Sequence, residues 1–167
     1  VDSCEICDAS NAKLAQQVYN YRYVQCEKCG HVYLEKRLSE DILEEYYRES
    51  EKYADTYTDE EQIEYRLQNV TKPKYDFILE NISADQGRWL DVGCGIGASV
   101  NYLDSKGWDA VGIDVSQHSI RTGEEMFGVD LRQQTLAEFM RENSKNNYDV
   151  ISFMGYFDVV PNPQRDF

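Results

Sequence analysis

The segment Leu90-Asp91-Val92-Gly93-Cys94-Gly95-Ile96-Gly97 decides how this chain is read. A short apolar run that starts at Arg88 and Trp89 enters glycines at 93, 95 and 97, and a helical stretch follows through Leu103 to Gly107. This pattern turns the backbone sharply at the carboxyl end of a strand and lets a ligand approach main chain above the next helix's N-terminus. The spacing is G-x-G-x-G, whereas the dinucleotide pyrophosphate fingerprint is G-x-G-x-x-G. Asp91, at the end of the strand, would suit an ammonium group and repel a pyrophosphate. An NAD-binding oxidoreductase is therefore disfavoured.

Downstream, Trp108-Asp-Ala-Val-Gly-Ile-Asp114 reads as a second strand ending in an acid, with Ser116 as N-cap of the next helix. Asp114 lies about 20 residues past the first glycine, where doubly wound folds put the carboxylate that grips ribose hydroxyls. A third β-α element is carried by Val129 and Leu131, then Leu136, Ala137, Phe139 and Met140. Tyr148-Asp-Val-Ile-Ser-Phe-Met154 is a fourth, β-prone apolar strand.

Upstream, the period changes. Thr58 and Glu61 stand in capping-box register ahead of Ile63, Leu67 and Val70, and Pro73 should break or kink that helix before it resumes through Phe77 and Ile78. Ser39 is a plausible N-cap for an earlier helix, with Glu40 and Asp41 in its first turn and Ile42, Leu43, Tyr46 and Tyr47 on one face. Tyr46, Tyr47, Tyr53 and Tyr57 fall close together and read as a half-buried helical surface rather than a substrate wall.

Further upstream, Cys4-x2-Cys7 and Cys26-x2-Cys29 form two knuckles 18 residues apart. Each C-x2-C turn aims two thiolates at one point, and two facing turns complete a tetrahedral, soft-donor site suited to Zn²⁺. Four protein ligands leave no open position, so the metal is expected to be structural. Gly30 fits the knuckle turn, the run Val18 to Cys26 fits a ribbon hairpin, and His31 to Glu35 continues as a strand. A ribbon this small cannot bury enough core to fold without its metal. Residues 1 to 30 hold only Lys13, Arg22 and Lys28 as cations, which argues against nucleic-acid binding by the ribbon.

The whole chain has 167 residues, 31 acids against 17 Lys plus Arg, a formal charge of −14, and 41% hydrophobic content. That balance is too apolar for disorder, and such an acidic chain repels phosphate backbones. No run approaches the ~18 apolar residues of a membrane span, and the opening VDSCEICDAS has no signal-peptide pattern. Neither a nucleic acid nor a membrane is expected as partner, and the setting is read as cytoplasmic.

Leu90 to Gly97, then Gly112-Ile-Asp114, then Tyr148-Asp-Val-Ile151 resemble, in order and spacing, the class I S-adenosylmethionine-dependent methyltransferases. A four-cysteine ribbon followed by a Tyr-rich helical linker resembles the bacterial branch that methylates sugars, polysaccharide precursors and other small metabolites. The resemblance implies an α/β, Rossmann-like sheet preceded by a zinc ribbon (1–36) and a helical linker (37–82), with the cofactor domain at 83–167. It implies that Gly93, Gly95 and Gly97 pass beneath the methionine part of the cofactor, with Asp91 near its amino group. Asp114 would accept both ribose hydroxyls, Val115 would pack on adenine, and Leu136, in the loop after the third strand, would line the adenine pocket. Cys94 is read as a small buried residue rather than a nucleophile.

Related chains often read D-V-L-E-H-x-P after the fourth strand, where this one has Gly155-Tyr-Phe-Asp158-Val159-Val-Pro161. Tyr156 and Asp158 are thereby the nearest candidates for the base that removes the acceptor's proton. His31 and His118 are read as packing or surface residues. The family's sheet normally has seven strands in which the first four take the order 3-2-1-4, and this sequence stops just past the fourth. The expectation is a cofactor-binding half of a longer protein, with an exposed edge strand that invites a homodimer or a domain swap. The alternative function is a degenerate, non-catalytic scaffold that docks partners through its ribbon. The changed motif at Gly155 and Val159 speaks for it, and the intact glycine loop with Asp114 speaks against it.

Overall fold

Tyr19 and Asn20 turn the chain back between β1 (Ala12–Val18) and β2 (Tyr21–Cys26), with Tyr19 at φ 52°, as the tight hairpins that match strand twist require. The computed structural model describes residues 3–49, 59–145, 147–157 and 159–160. The chain divides between Leu43 and Glu44 into two units. In the first, β3 (Val32–Leu34) completes an antiparallel sheet in the order β1-β2-β3. The hairpin carries a bulge between Leu14 and Gln16. Every residue of β1 is exposed, and the unit's interior is Cys4, Val24, Cys26 and Tyr33. Main chain shapes both knuckles: Asp8 N–H donates to the Cys4 carbonyl at 2.8 Å and Gly30 N–H to the Cys26 carbonyl at 3.0 Å. His31 stacks on Tyr33 with ring centroids 5.6 Å apart, a packing role.

Helix α1 (Glu40–Glu49) starts after Ser39, whose carbonyl accepts from Leu43 N–H at 3.0 Å. Tyr46 and Tyr47 meet edge to face at 5.3 Å, while Tyr53, Tyr57 and Thr58 lie outside the described residues. The N-cap of α2 (Glu60–Arg66) is Asp59, whose carboxylate accepts from Glu61 N–H at 2.9 Å. Pro73 does not break the helical path. A π-helical turn (Leu67–Thr71) joins α2 to α3 (Lys72–Asn81), with Lys72 N–H reaching back to the Leu67 carbonyl. Pro73 therefore follows closely on the π-helical turn, whose widened ladder makes room for its ring.

The second unit is built on four strands: β4 (Arg88–Val92), β5 (Asp109–Asp114), β6 (Leu131–Gln133) and β7 (Val150–Ser152). They pair in parallel in the order β6-β5-β4-β7, the expected 3-2-1-4 arrangement. Helices α4 (Ala98–Ser105), α5 (Gln117–Phe127) and α6 (Leu136–Glu142) lie between the strands in sequence. Strand parity divides the core. Trp89 and Ala110 pack with Tyr75, Val100, Leu103, Trp108, Ile120 and Leu131 on one face. Leu90, Val92, Val111 and Ile113 pack with Phe139 on the other. By the same alternation Asp91 and Gly112 share the face of Trp89, which places Asp91 under α4. No helix among the described residues is long and apolar enough to cross a membrane.

Candidate functional site

The glycine loop leaves β4 and is tied to the end of β5. Gly93 N–H and Cys94 N–H both donate to the Ile113 carbonyl, at 2.9 and 3.1 Å. Gly97 adopts φ 72° and is the residue before α4, and a Cβ there would lie 2.6 Å from Leu131 Cδ2. The loop is also supported from below: a Cβ on Gly123 of α5 would come within 2.2 Å of the Ile96 carbonyl oxygen. Close approach of α5 to the loop is thus possible only because residue 123 has no side chain.

Asp114 closes the arrangement. Its Oδ2 accepts from Gly95 N–H and its Oδ1 from Ser116 N–H, each at 2.9 Å. Burial holds its carboxyl above the usual range, opposed by these N–H donors. Each carboxylate oxygen retains a further lone pair for a hydroxyl donor. Ser116 caps α5, and its side chain accepts from Ser119 N–H at 3.2 Å.

Asp91 is 2% exposed and sits among hydroxyls. Its Oδ1 accepts from Tyr75 Oη at 2.8 Å and from Ser152 Oγ at 2.6 Å, and its Oδ2 accepts from Ser99 Oγ at 2.5 Å. Trp89 Nε1–H donates in turn to Ser152 Oγ at 2.8 Å. Burial raises the Asp91 carboxyl, with the three hydroxyls acting against it. Sequence reasoning missed Tyr75, Ser99 and Ser152. Ser99 carried a faint signal, a small polar residue on the buried side of the helix after the glycines. Tyr75 carried none, because its contact spans 16 residues and two elements.

Of the other expected site residues, Val115 is half-buried directly after Asp114, and its carbonyl accepts from Gln133 Nε2 at 3.3 Å. Leu136 is the first residue of α6 rather than part of a loop, because Thr135 already caps that helix, and it packs against the Leu90 and Phe139 side of the core. Tyr156 lies beside the first glycine of the loop: a Cβ on Gly93 would be 3.2 Å from its Cδ2. Its ring also meets Phe153 at 5.6 Å and Phe157 at 5.5 Å. Asp158 lies outside the described residues. Burial, with Asp114 and Asp91 nearby, pushes the Cys94 thiol well up, so it stays protonated and packs. His118 is exposed on α5, paired with Thr122 Oγ1 at 3.2 Å.

In the first unit, Cys4, Cys7, Cys26 and Cys29 have sulfurs that all lie within 4.8 Å of one another. The pairs Cys4–Cys29 and Cys7–Cys26 are each 3.6 Å apart, so the knuckles interleave. This is far beyond a ~2.05 Å disulfide bond. It is close to the ~3.8 Å expected between sulfurs placed ~2.3 Å from a tetrahedral zinc. The donor set fits a zinc ribbon.

A family model described as a methyltransferase domain matches residues 60–167. Among curated proteins, the ubiquinone biosynthesis O-methyltransferase of Aliivibrio fischeri (strain MJ11) is 30% identical over 106 residues, covering 58% of this chain and 44% of that protein. The protein of the same description from Methylococcus capsulatus (strain ATCC 33009 / NCIMB 11132 / Bath) is 32% identical over 101 residues, with 58% and 43% covered. The chain thus spans less than half the length of these relatives. Among solved structures, the plantazolicin methyltransferase BpumL in complex with SAH and a pentazolic desmethylPZN analog aligns with TM-score 0.50 and 18% identity, covering 75% of this chain and 52% of that one. That likeness concerns the fold, a Rossmann-like sheet.

Proposed function

Because the chain belongs to the methyltransferase-domain family, we propose that it binds S-adenosylmethionine and serves methyl transfer to a hydroxyl of a small-molecule acceptor. The observation that carries this reading is Asp114, held at the mouth of the glycine loop by Gly95 and Ser116 N–H groups. The O-methyl transfer named in the relatives supports a hydroxyl acceptor. A sugar or polysaccharide precursor is the narrower form, supported by the resemblance of ribbon and linker alone.

When bound, the cofactor's sulfonium supplies an activated methyl group. The chain's residues bind and orient. Asp114 accepts the ribose hydroxyls, Val115 and Leu136 line adenine, the three glycines leave room for the methionine part, and Asp91 serves its amino end. Tyr156, beside Gly93, and Asp158, two residues on, are the candidates to take the acceptor's proton. The four cysteines hold a structural Zn²⁺ with no open coordination position, which suits a reducing, cytoplasmic setting. In functional terms the chain divides into ribbon (1–36), linker (37–82) and cofactor domain (83–167).

Calorimetric titration of the zinc-loaded chain with S-adenosylmethionine, S-adenosylhomocysteine and NAD tests the reading. The first two are expected to bind and NAD to fail. Asp114→Ala should weaken both by about a hundredfold, the worth of two hydrogen bonds to a charged group. Equal binding of NAD, or undiminished affinity in Asp114→Ala, would refute it.

A further inference from the structure

Around Asp91, the hydrogen bonds can be counted against what a carboxylate can accept. An ionised carboxylate offers about four lone-pair directions, two per oxygen. Oδ1 is filled by Tyr75 Oη and Ser152 Oγ, whereas among the described residues Oδ2 receives Ser99 Oγ alone. Two of the donors are constrained by their surroundings. Ser152 Oγ already accepts the Trp89 indole N–H, which leaves its own hydrogen for Asp91. The Tyr75 ring is packed against Trp89 with centroids 5.9 Å apart and is itself 2% exposed, so its hydroxyl has little freedom to turn away. A protonated Asp91 would bring a fourth hydrogen into a cage that already supplies three. The three hydroxyls thus act for the carboxylate against the upward push of burial, and among the described residues Oδ2 accepts from one donor, Ser99 Oγ. That oxygen is on the side of Ser99, which is in the first turn of α4 just past the glycine loop.

We propose that Tyr75, on a helix outside every recognised motif, is a positioning residue for the ligand's amino-acid end: it fixes the Asp91 carboxylate so that its Oδ2 serves an ammonium group. The inference rests on the S-adenosylmethionine reading given above, and deepens it by assigning α3 a share in ligand binding. Tyr75 acts through Asp91. It makes no contact with the reacting atoms and its role is separable from adenosine binding.

The separating experiment compares two ligands on the full, zinc-loaded chain. S-adenosylhomocysteine carries the ammonium group, while 5′-methylthioadenosine keeps the adenosine and sulfur and lacks the amino-acid end. Tyr75→Phe should weaken S-adenosylhomocysteine roughly tenfold, as expected for a lost hydrogen bond to a charged group, and change methylthioadenosine by less than about twofold. Ser99→Ala, which loosens the other oxygen by a smaller change of volume, should show the same split. Equal losses for both ligands in both variants would mean that Tyr75 and Ser99 merely hold the fold, and would overturn the proposal. Unchanged affinity for S-adenosylhomocysteine would overturn it as well, with the methyltransferase reading left standing. Failure of the unmodified chain to bind either ligand would overturn both.

Discussion

The two units of this chain bury different things. In the ribbon, β1 is exposed along its whole length and the buried interior, among the described residues, is Cys4, Val24, Cys26 and Tyr33, so half of it is cysteine. In the sheet unit, Trp89, Leu90, Val100, Leu103 and Phe139 are fully buried, and the polar cage around Asp91 is set within that apolar mass. One unit is organised by where sulfur atoms must converge, the other by which side of a strand a residue occupies. The difference predicts that they fail separately and for different causes.

Metal removal should break the comparison most visibly. Structural zinc sites in small domains contribute about 10–16 kcal/mol of apparent binding energy that is also folding energy. Chelation, or Cys26→Ser, should therefore abolish hydrogen-exchange protection in 21–26 while β4 and β5 amides stay protected. Protection of the ribbon hairpin that survives complete zinc removal would show that its few apolar residues suffice after all.

In the sheet unit the corresponding weak point is a glycine. Gly123→Ala drives a Cβ to within 2.2 Å of the Ile96 carbonyl oxygen, which is backbone and cannot swing aside. A loss of about 2–3 kcal/mol is expected in denaturant unfolding, together with weaker ligand binding through the displaced loop. Gly128→Ala is the control. That residue, unlike Gly123, has positive φ, 65°, with nothing within 4 Å of the added carbon, so only the left-handed conformation is penalised, by about 1 kcal/mol. Equal effects of the two would mean that loop support by α5 is unimportant.

Acid should push the units in opposite directions. Asp91, Asp114 and Asp104 are all shifted upward, with burial the first cause of each. As pH falls toward the ordinary carboxyl range of about 4, the native sheet unit takes up protons before the unfolded chain does, so its ligand-free stability rises. Affinity for an ammonium-bearing ligand falls over the same interval as Asp91 loses its charge. Glu138 is shifted the other way by Thr135, and its contribution is lost only below the ordinary glutamate range of about 4.3. In the ribbon, protons compete with zinc for the thiolates and stability falls with pH. Melting of the ligand-free, zinc-loaded chain at several pH values checks this, and parallel trends in the two units would sink it.

These contrasts also explain what could be read from the sequence. Knuckle spacing and strand-glycine-helix patterning are local, so the four cysteines, the glycine loop and the strand ending at Asp114 were legible, whereas the 3-2-1-4 strand order followed only from the family resemblance. The start of β1 was not, because a strand exposed on both faces has no alternation to betray it. Pro73 was read as a break or a kink, and the structure has an uninterrupted helical path with a π-helical turn just before it. Thr58 looked like a cap by register, yet Asp59 does the capping. The cage around Asp91 was invisible for a deeper reason: its donors come from α3, α4 and β7, and only the folded sheet brings them to one carboxylate.

The smallest expected effect sharpens the comparison from the other end. Thr135 and Glu138 form a reciprocal capping box at the start of α6: the Thr135 hydroxyl accepts from Glu138 N–H at 3.2 Å, and the Glu138 carboxylate accepts from Thr135 N–H at 2.8 Å. Thr135→Ala removes one half of it and should cost about 1 kcal/mol, read as a lower denaturant midpoint at unchanged slope. Thr135→Ser should recover most of that, since it keeps the oxygen and loses only a methyl group. A penalty this small is detectable only in a unit that is already folded by its core, where Phe139 of the same helix is fully buried. If Thr135→Ala instead lost several times that amount, α6 would be held by its cap rather than by Phe139, and the sheet unit would rest on local bonding much as the ribbon rests on its knuckles.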